Sequence, residues 1–235
     1  MTDRKLEMMG YEATLEGGVR RITRETLQNG AQGRDIEGLV SSAASFADGT
    51  VQDLATKQPP PQPIACADGC HFCCITTEVH AAPLEVLHMA RHVEATYDFT
   101  RQAMLLSRLR EWAQGRLDAT AESVRRPCPL LEDGRCGAYA ARPMVCRGFN
   151  SYDAGVCERH KIDGDDTPIE GYVHQDRVHQ ATLLGLANGA DEARRAGAAV
   201  DLAPALLARL TDPAAETRWL AGVDEFKEAR IRERK

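Results

Sequence analysis

A mainly α fold, a helical bundle with irregular cysteine-bearing loops around a metal centre, follows from three features of this 235-residue sequence. Aromatic residues are only 5% of the chain, alanine and leucine are plentiful and β-branched runs are scarce, which favours helix over sheet. Apolar residues recur at steps of three and four over most of the length. Where that rhythm stops, prolines, glycines and eight cysteines concentrate.

The N-terminal helical region, residues 1–58, places Ile36, Val40, Ala43, Ala47, Val51 and Leu54 on one face that should pack on the core. Residues 6–29 are more polar and contain the pair Gly17-Gly18, so short or marginal helices are expected there. Gln58-Pro59-Pro60-Pro61-Gln62-Pro63 cannot continue a helix, because proline lacks the amide donor, and reads as a stiff connector delivering Cys66. Pro83 suits a first helical position, with Leu84, Leu87, Ala90 and Tyr97 following on one face. Thr100 is placed to cap the next helix, which turns Leu105, Leu109, Trp112 and Arg116 inward together with Leu106 and Ala113. These two helices are expected to form a hairpin. Residues 126–171 are dominated by proline, glycine and aspartate and read as loops and short turns. The C-terminal helical region, residues 172–235, carries three patterns expected to pack on the same core. The first covers about 174–195, the second Leu202, Leu206 and Leu210, and the third Trp219, Val223, Phe226 and Arg230. Solenoid-length repeats and the strand–helix alternation of a nucleotide-binding fold are both missing.

The formal charge of −6 supplies no basic face for nucleic acid or anionic lipid, so neither is an expected partner. No stretch approaches the ~18 apolar residues of a spanning helix, and residues 1–7 lead into no apolar segment, so neither a membrane span nor a signal peptide is expected. A cytoplasmic, reducing location follows, in which eight thiols serve metal or redox chemistry rather than structural disulfides.

The candidate metal-binding domain is residues 64–160. Its first group, Cys66-Ala-Asp-Gly-Cys70-His-Phe-Cys73-Cys74, puts four thiols in nine residues, with Gly69 allowing a sharp turn. The second group, Cys128, Cys136, Cys146 and Cys157, is set among Pro127, Pro129, Asp133-Gly134 and Pro143, which fix turns. All eight are candidate ligands, and the intervening helices can fold out and return the chain, so one composite centre is expected. Four thiolates around an ion or cluster carry negative charge that needs compensation when buried. Arg125, Arg126, Arg135, Arg142 and Arg147 can supply it, and Arg142 and Arg147, flanking Cys146, are the candidate cofactor-binding pair.

These residues resemble the bacterial YkgJ-type cysteine-cluster family, also called the CxxCxxCC or zinc- or iron-chelating domain family. The resemblance rests on Cys66, Cys70 and Cys73-Cys74, then Cys128-Pro-Leu-Leu, Cys136, Tyr139, Arg142-Pro143-x-x-Cys146-Arg147, and Asn150-Ser151-x-Asp153 leading to Cys157. Cys66 and Cys70 have three residues between them where the family label has two. The resemblance implies chelation of zinc or iron, with an iron-sulfur cluster favoured. A related cysteine domain occurs in flagellin lysine N-methylases, whose reaction is not carried over.

Other readings of the same residues are weaker. Cys66-x3-Cys70-x2-Cys73 has the spacing of radical S-adenosylmethionine enzymes, but the β/α barrel that seats it there is missing. Cys70, Cys73, His88 and His92 could be drawn as a Cys2His2 zinc finger, although the histidines read better as ordinary helix residues. Cys70 and Cys73 alone do not make a thiol–disulfide enzyme. His71 and His160 read as neighbours of the site rather than ligands, and Asp163, Asp165 and Asp166 as solvated. The leading expectation is a protein holding an iron-sulfur cluster, 4Fe-4S favoured, in a redox or modification-linked role. The alternative is a non-catalytic zinc module whose helical surface binds a protein partner. No nucleotide-phosphate loop or nucleophile–base pair marks a catalytic residue.

Overall fold

The computed structural model describes residues 3–67, 69–75, 78–118 and 126–230, without the side chains of 3–9 and 116–118. Arg125 and the inward turn expected of Arg116 lie outside the described residues.

The chain is mainly helical. Helices α1 (Asp3–Gln28) and α2 (Gly33–Lys57) precede the proline connector, and the one-turn α3 (Phe72–Ile75) carries the cysteine pair. Strand β1 (His80–Ala81) leads into α4 (Pro83–Thr96) and α5 (Phe99–Asp118). A hairpin of β2 (Leu131–Glu132) and β3 (Arg135–Cys136) follows, then the short helices α6 (Met144–Gly148) and α7 (Ala154–Glu158). Helix α8 (Val173–Glu192), strand β4 (Val200–Asp201), α9 (Leu202–Thr211) and α10 (Ala215–Leu220) complete the described elements.

Residues 6–29 depart from the sequence expectation. All but Asn29 belong to one continuous helix, and its apolar stripe Leu15, Val19, Leu27 with Thr23 is buried. The stabilising partner is distant in sequence: α1 lies along α8, and Gly185 and Gly189 of α8 let the two backbones close up. A Cβ at Gly189 would stand 2.5 Å from the Arg20 carbonyl oxygen and 2.6 Å from the Thr23 Cβ. This contact reverses the usual sign of a glycine-to-alanine exchange in a helix. Gly189→Ala is expected to destabilise by about 1–3 kcal/mol, while Gly18→Ala, whose Cβ meets nothing within 4 Å, is expected to stabilise by about 0.5–1 kcal/mol. Urea midpoints that move in the same direction for both variants would contradict this packing.

Helix α2 buries Ile36, Val40, Ala43 and Ala47 as its periodicity predicts. Helix α4 starts at Pro83 with Leu84, Leu87 and Ala90 fully buried. Helix α5 starts one residue before Thr100, and Asp98 is its side-chain cap, accepting the Arg101 N–H at 2.8 Å. The expected hairpin of α4 and α5 is opened, because both pack on α9. Beyond α10 the helix stops, because Gly222 adopts φ +94°, and Arg230 bridges Val200 beside the β1–β4 pair. The third C-terminal pattern is therefore half helix and half turn, with Trp219 and Phe226 buried and Val223 exposed.

Candidate metal centre

Local backbone chemistry sets each cysteine segment. Gly69 at φ +86° reverses the chain so that the Cys70 N–H reaches the Ala67 carbonyl, and Cys73 and Cys74 then fall in the single turn of α3. In an extended segment their side chains would point apart. In this turn their sulfurs stand 4.0 Å apart. The β2–β3 hairpin turns on Asp133 and Gly134, both at positive φ, as an Asp-Gly turn requires, and seats Cys136. Helix α6 presents Cys146, and Asp153 caps α7 by accepting the Gly155 and Val156 N–H groups.

One backbone hydrogen bond joins the two cysteine groups: the Cys128 N–H donates to the Cys74 carbonyl at 2.7 Å. Cys70, Cys73, Cys74, Cys128, Cys136 and Cys146 line a single cavity of about 350 Å³. Its other walls are largely apolar and include Val79, Leu130, Val145 and Phe149. Cys66 and Cys157 do not line it. Cys66 is exposed and tied to the Ser151 backbone, whereas Cys157 is buried in α7.

Arg142 lines the cavity, its guanidinium 4.1 Å from the Tyr139 ring centre, and its buried Nε has no hydrogen-bond partner among the described residues. Arg135 also lines the cavity. Arg147 is committed elsewhere: it pairs with Asp48 at 2.8 Å and donates to the Arg142 and Ala140 carbonyls, bracing α6 against α2. Arg126 donates to the Glu111 carbonyl. His71 turns its Nδ1 to the Gly69 carbonyl at 3.1 Å, and burial holds both His88 and His92 below the usual imidazole range.

Electrostatics match a site that gains metal by losing protons. Burial pushes Cys128 up to about 11, raises Cys136, and lifts Cys146 well above the ordinary thiol value. Cys73 falls to about 7 because it accepts a hydrogen bond from Cys74, with Lys161 and Arg142 helping, while Cys74 is raised by keeping the shared proton. Among the described residues no three His, Cys, Asp or Glu side chains are drawn together closely enough to hold an ion as they stand. The donor set nevertheless fits a thiophilic centre, since six sulfurs line one largely apolar cavity beside the Arg142 guanidinium, whose Nε is unpartnered among the described residues and whose charge can answer theirs.

Sequence reasoning missed Glu85. Fully buried, it accepts the Met144 N–H at 2.7 Å and the Ala82 N–H at 2.8 Å, tying the start of α4 to the start of α6 and thereby positioning Cys146. Its signal was a glutamate two residues after a helix-starting proline, although the link to Met144 is not readable from spacing. Asn150 is the second such brace: its side chain accepts the Tyr172 N–H and donates to the Gly148 and Tyr172 carbonyls, holding the loop between Cys146 and Cys157.

Fold and site together define a helical protein with a cysteine-lined cavity at the meeting of two loop segments. Residues 65–167 match the CxxCxxCC family model, described as "Putative zinc- or iron-chelating domain". No curated protein and no solved structure matches the chain. No helix among the described residues is long and apolar enough to cross a membrane.

Proposed function

We propose that the cavity holds an iron-sulfur cluster of the 4Fe-4S type, and that the protein uses it in a redox or modification-linked role. The observation that carries this reading is that six thiols line one cavity of about 350 Å³, room for more than a single ion. Such a cluster supplies one-electron transfer when bound. The chain's own contribution is to surround the site with apolar walls, to supply thiolates from among Cys70, Cys73, Cys74, Cys128, Cys136 and Cys146, and to balance their charge with Arg135 and Arg142. Arg147 acts at one remove, through the Asp48 pair that fixes α6.

A second reading, structural zinc with the helical surface free for a protein partner, is favoured by the Cys73–Cys74 pair. Their 4.0 Å separation is close to the ~3.8 Å sulfur–sulfur edge of a zinc tetrathiolate with ~2.3 Å bonds. Protein purified without oxygen is expected to be brown, to hold iron and acid-labile sulfide in comparable amounts, and to lose its visible absorption in air. Cys128→Ser and Cys146→Ser are each expected to remove most of that iron. Colourless protein with stoichiometric zinc and no sulfide rejects the cluster in favour of the zinc reading, and metal content unchanged in both variants rejects the cavity.

A further inference from the structure

None of the residues lining the cysteine cavity comes from α1 or α2. These two helices are joined by the short turn 29–32, both lie on α8, and an open groove of about 860 Å³ runs between them. Its walls are Leu15, Val19 and Ile22 from α1 and Leu39, Ala43 and Phe46 from α2. Ile22 and Phe46 are more than half exposed, so nothing among the described residues covers the groove. The charged residues lining it, Arg34 and Asp35, are adjacent, opposite in sign and close to the turn. Gly18 and Gly38 line it from within their helices, and a Cβ at either would meet nothing within 4 Å among the described residues. Close packing therefore does not explain these two glycines, each of which weakens its helix relative to alanine. Their effect is to keep the groove wide.

At the end away from the turn, Tyr11 lines both the groove and a second, polar pocket of about 290 Å³, where the start of α8 meets the end of α2. Lys57 and Arg177 line this pocket against Glu12 alone. Arg177 pairs with Glu12 at 3.4 Å, which leaves the charge of Lys57 in surplus. His174 also lines the pocket. It is only 9% exposed, packs edge-on to Tyr172, and its ring makes no hydrogen bond among the described residues. A buried imidazole without a partner is costly, and a ligand acceptor removes that cost. Burial and the neighbouring Arg177 hold it below the usual imidazole range, so it offers a neutral N–H.

We propose that groove and pocket together bind one anionic amphiphile, a monomeric long-chain carboxylate, with its chain between α1 and α2 and its head at Lys57 and His174. Tyr11 to Thr26 spans roughly 22 Å of helix, enough to lie along a long acyl chain. Apolar walls with a few convergent polar groups are the anatomy of a small-molecule site. Surplus charge at one end, and a neutral apolar remainder, complement a molecule with an ionic head and an apolar tail. One surplus positive charge suits a singly charged head. This site does not depend on the metal reading of the cavity.

The test is isothermal titration calorimetry of the full chain, purified without oxygen, with palmitate below its micellar concentration. Cetyl alcohol, which lacks the charge, and butyrate, which lacks the chain, are titrated alongside. Palmitate is expected to bind at one site per chain, and the other two at least about tenfold more weakly. Gly38→Leu fills the groove from a position that touches nothing else, and is expected to abolish palmitate binding while circular dichroism and metal content stay unchanged. Gly18→Leu repeats the block from the opposite wall, should Gly38→Leu fail to fold. Lys57→Glu is expected to weaken palmitate by about tenfold or more and to leave cetyl alcohol unaffected. Wild type without saturable palmitate binding overturns the proposal, as do equal affinities for palmitate and cetyl alcohol, or groove and Lys57 variants that bind as wild type does. Binding only to palmitate-containing vesicles overturns it in favour of a membrane surface. A wild-type dimer that Gly38→Leu dissociates overturns it in favour of a second copy of the chain. Metal content of the same samples reports separately on the cavity.

Discussion

Stripping metal with a chelator at neutral pH is expected to unfold the loop segments 66–75 and 126–167 while the helical core persists. The effect should be on the order of 10 kcal/mol in local stability, the scale of a structural thiolate site, because binding free energy there is folding free energy. These segments contain two-residue strands and helices of four or five residues, too short to stand without an external tie. By contrast, α1, α2, α4, α8 and α9 bury continuous apolar faces in the main core. Hydrogen exchange should show protection lost around Cys74, Cys128 and Cys136 and kept at Leu87 and Leu186; identical exchange with and without metal would sink the prediction. Acidity should act in the same direction. Cys128, near 11, and the raised Cys136 and Cys146 are protonated in the metal-free protein at neutral pH, so each must release a proton on binding. Affinity is expected to rise about tenfold per pH unit for each such thiol, with Cys73 near 7 contributing only below neutrality. A chelator competition constant that does not change with pH would contradict the buried thiols.

Replacing Glu85 is expected to cost both stability and metal content. Glu85→Ala leaves the Met144 and Ala82 N–H groups without acceptors in a buried site and opens a cavity, a loss of about 2–4 kcal/mol. Displacing the start of α6 also displaces Cys146, so metal content should fall with stability. The wild-type residue carries a pH signature. Burial raises its carboxyl from 4.5 to about 7 against the opposing pull of the two backbone donors and Arg147. The folded state therefore holds this proton more tightly than the unfolded chain. The resulting stabilisation is complete below about 4.5 and is lost as pH rises towards and through about 7, by about 3 kcal/mol in all. Glu85→Gln cannot titrate, so its unfolding free energy should lack this decline, and parallel wild-type and variant curves between pH 4.5 and 7 would refute the assignment.

The C-terminal region shows how far periodicity carries. Leu202 and Leu206 are buried as their spacing predicts, but Trp219, Val223, Phe226 and Arg230 keep helical spacing through Gly222, where the chain turns instead. A stripe reports which residues seek the core, and a backbone that breaks can still deliver Phe226 to it. The polar N-terminal helix errs the other way: its own composition predicts little, and α8 supplies the missing stabilisation across more than 150 residues of sequence.

At the site, the sequence alone determined the chemistry: thiol type, close spacing, and turn residues such as Gly69 and Asp133-Gly134 are local properties. It could not separate Arg142, which stands on the cavity wall, from Arg147, which faces Asp48, because both flank Cys146 equally in the chain. Nor could it divide eight cysteines into six around one cavity and two outside it, or find Glu85 beneath Met144. Those distinctions depend on which segments meet in space, and that is fixed by long-range packing of α2, α4 and α8 around the loops rather than by any local preference of the residues that meet.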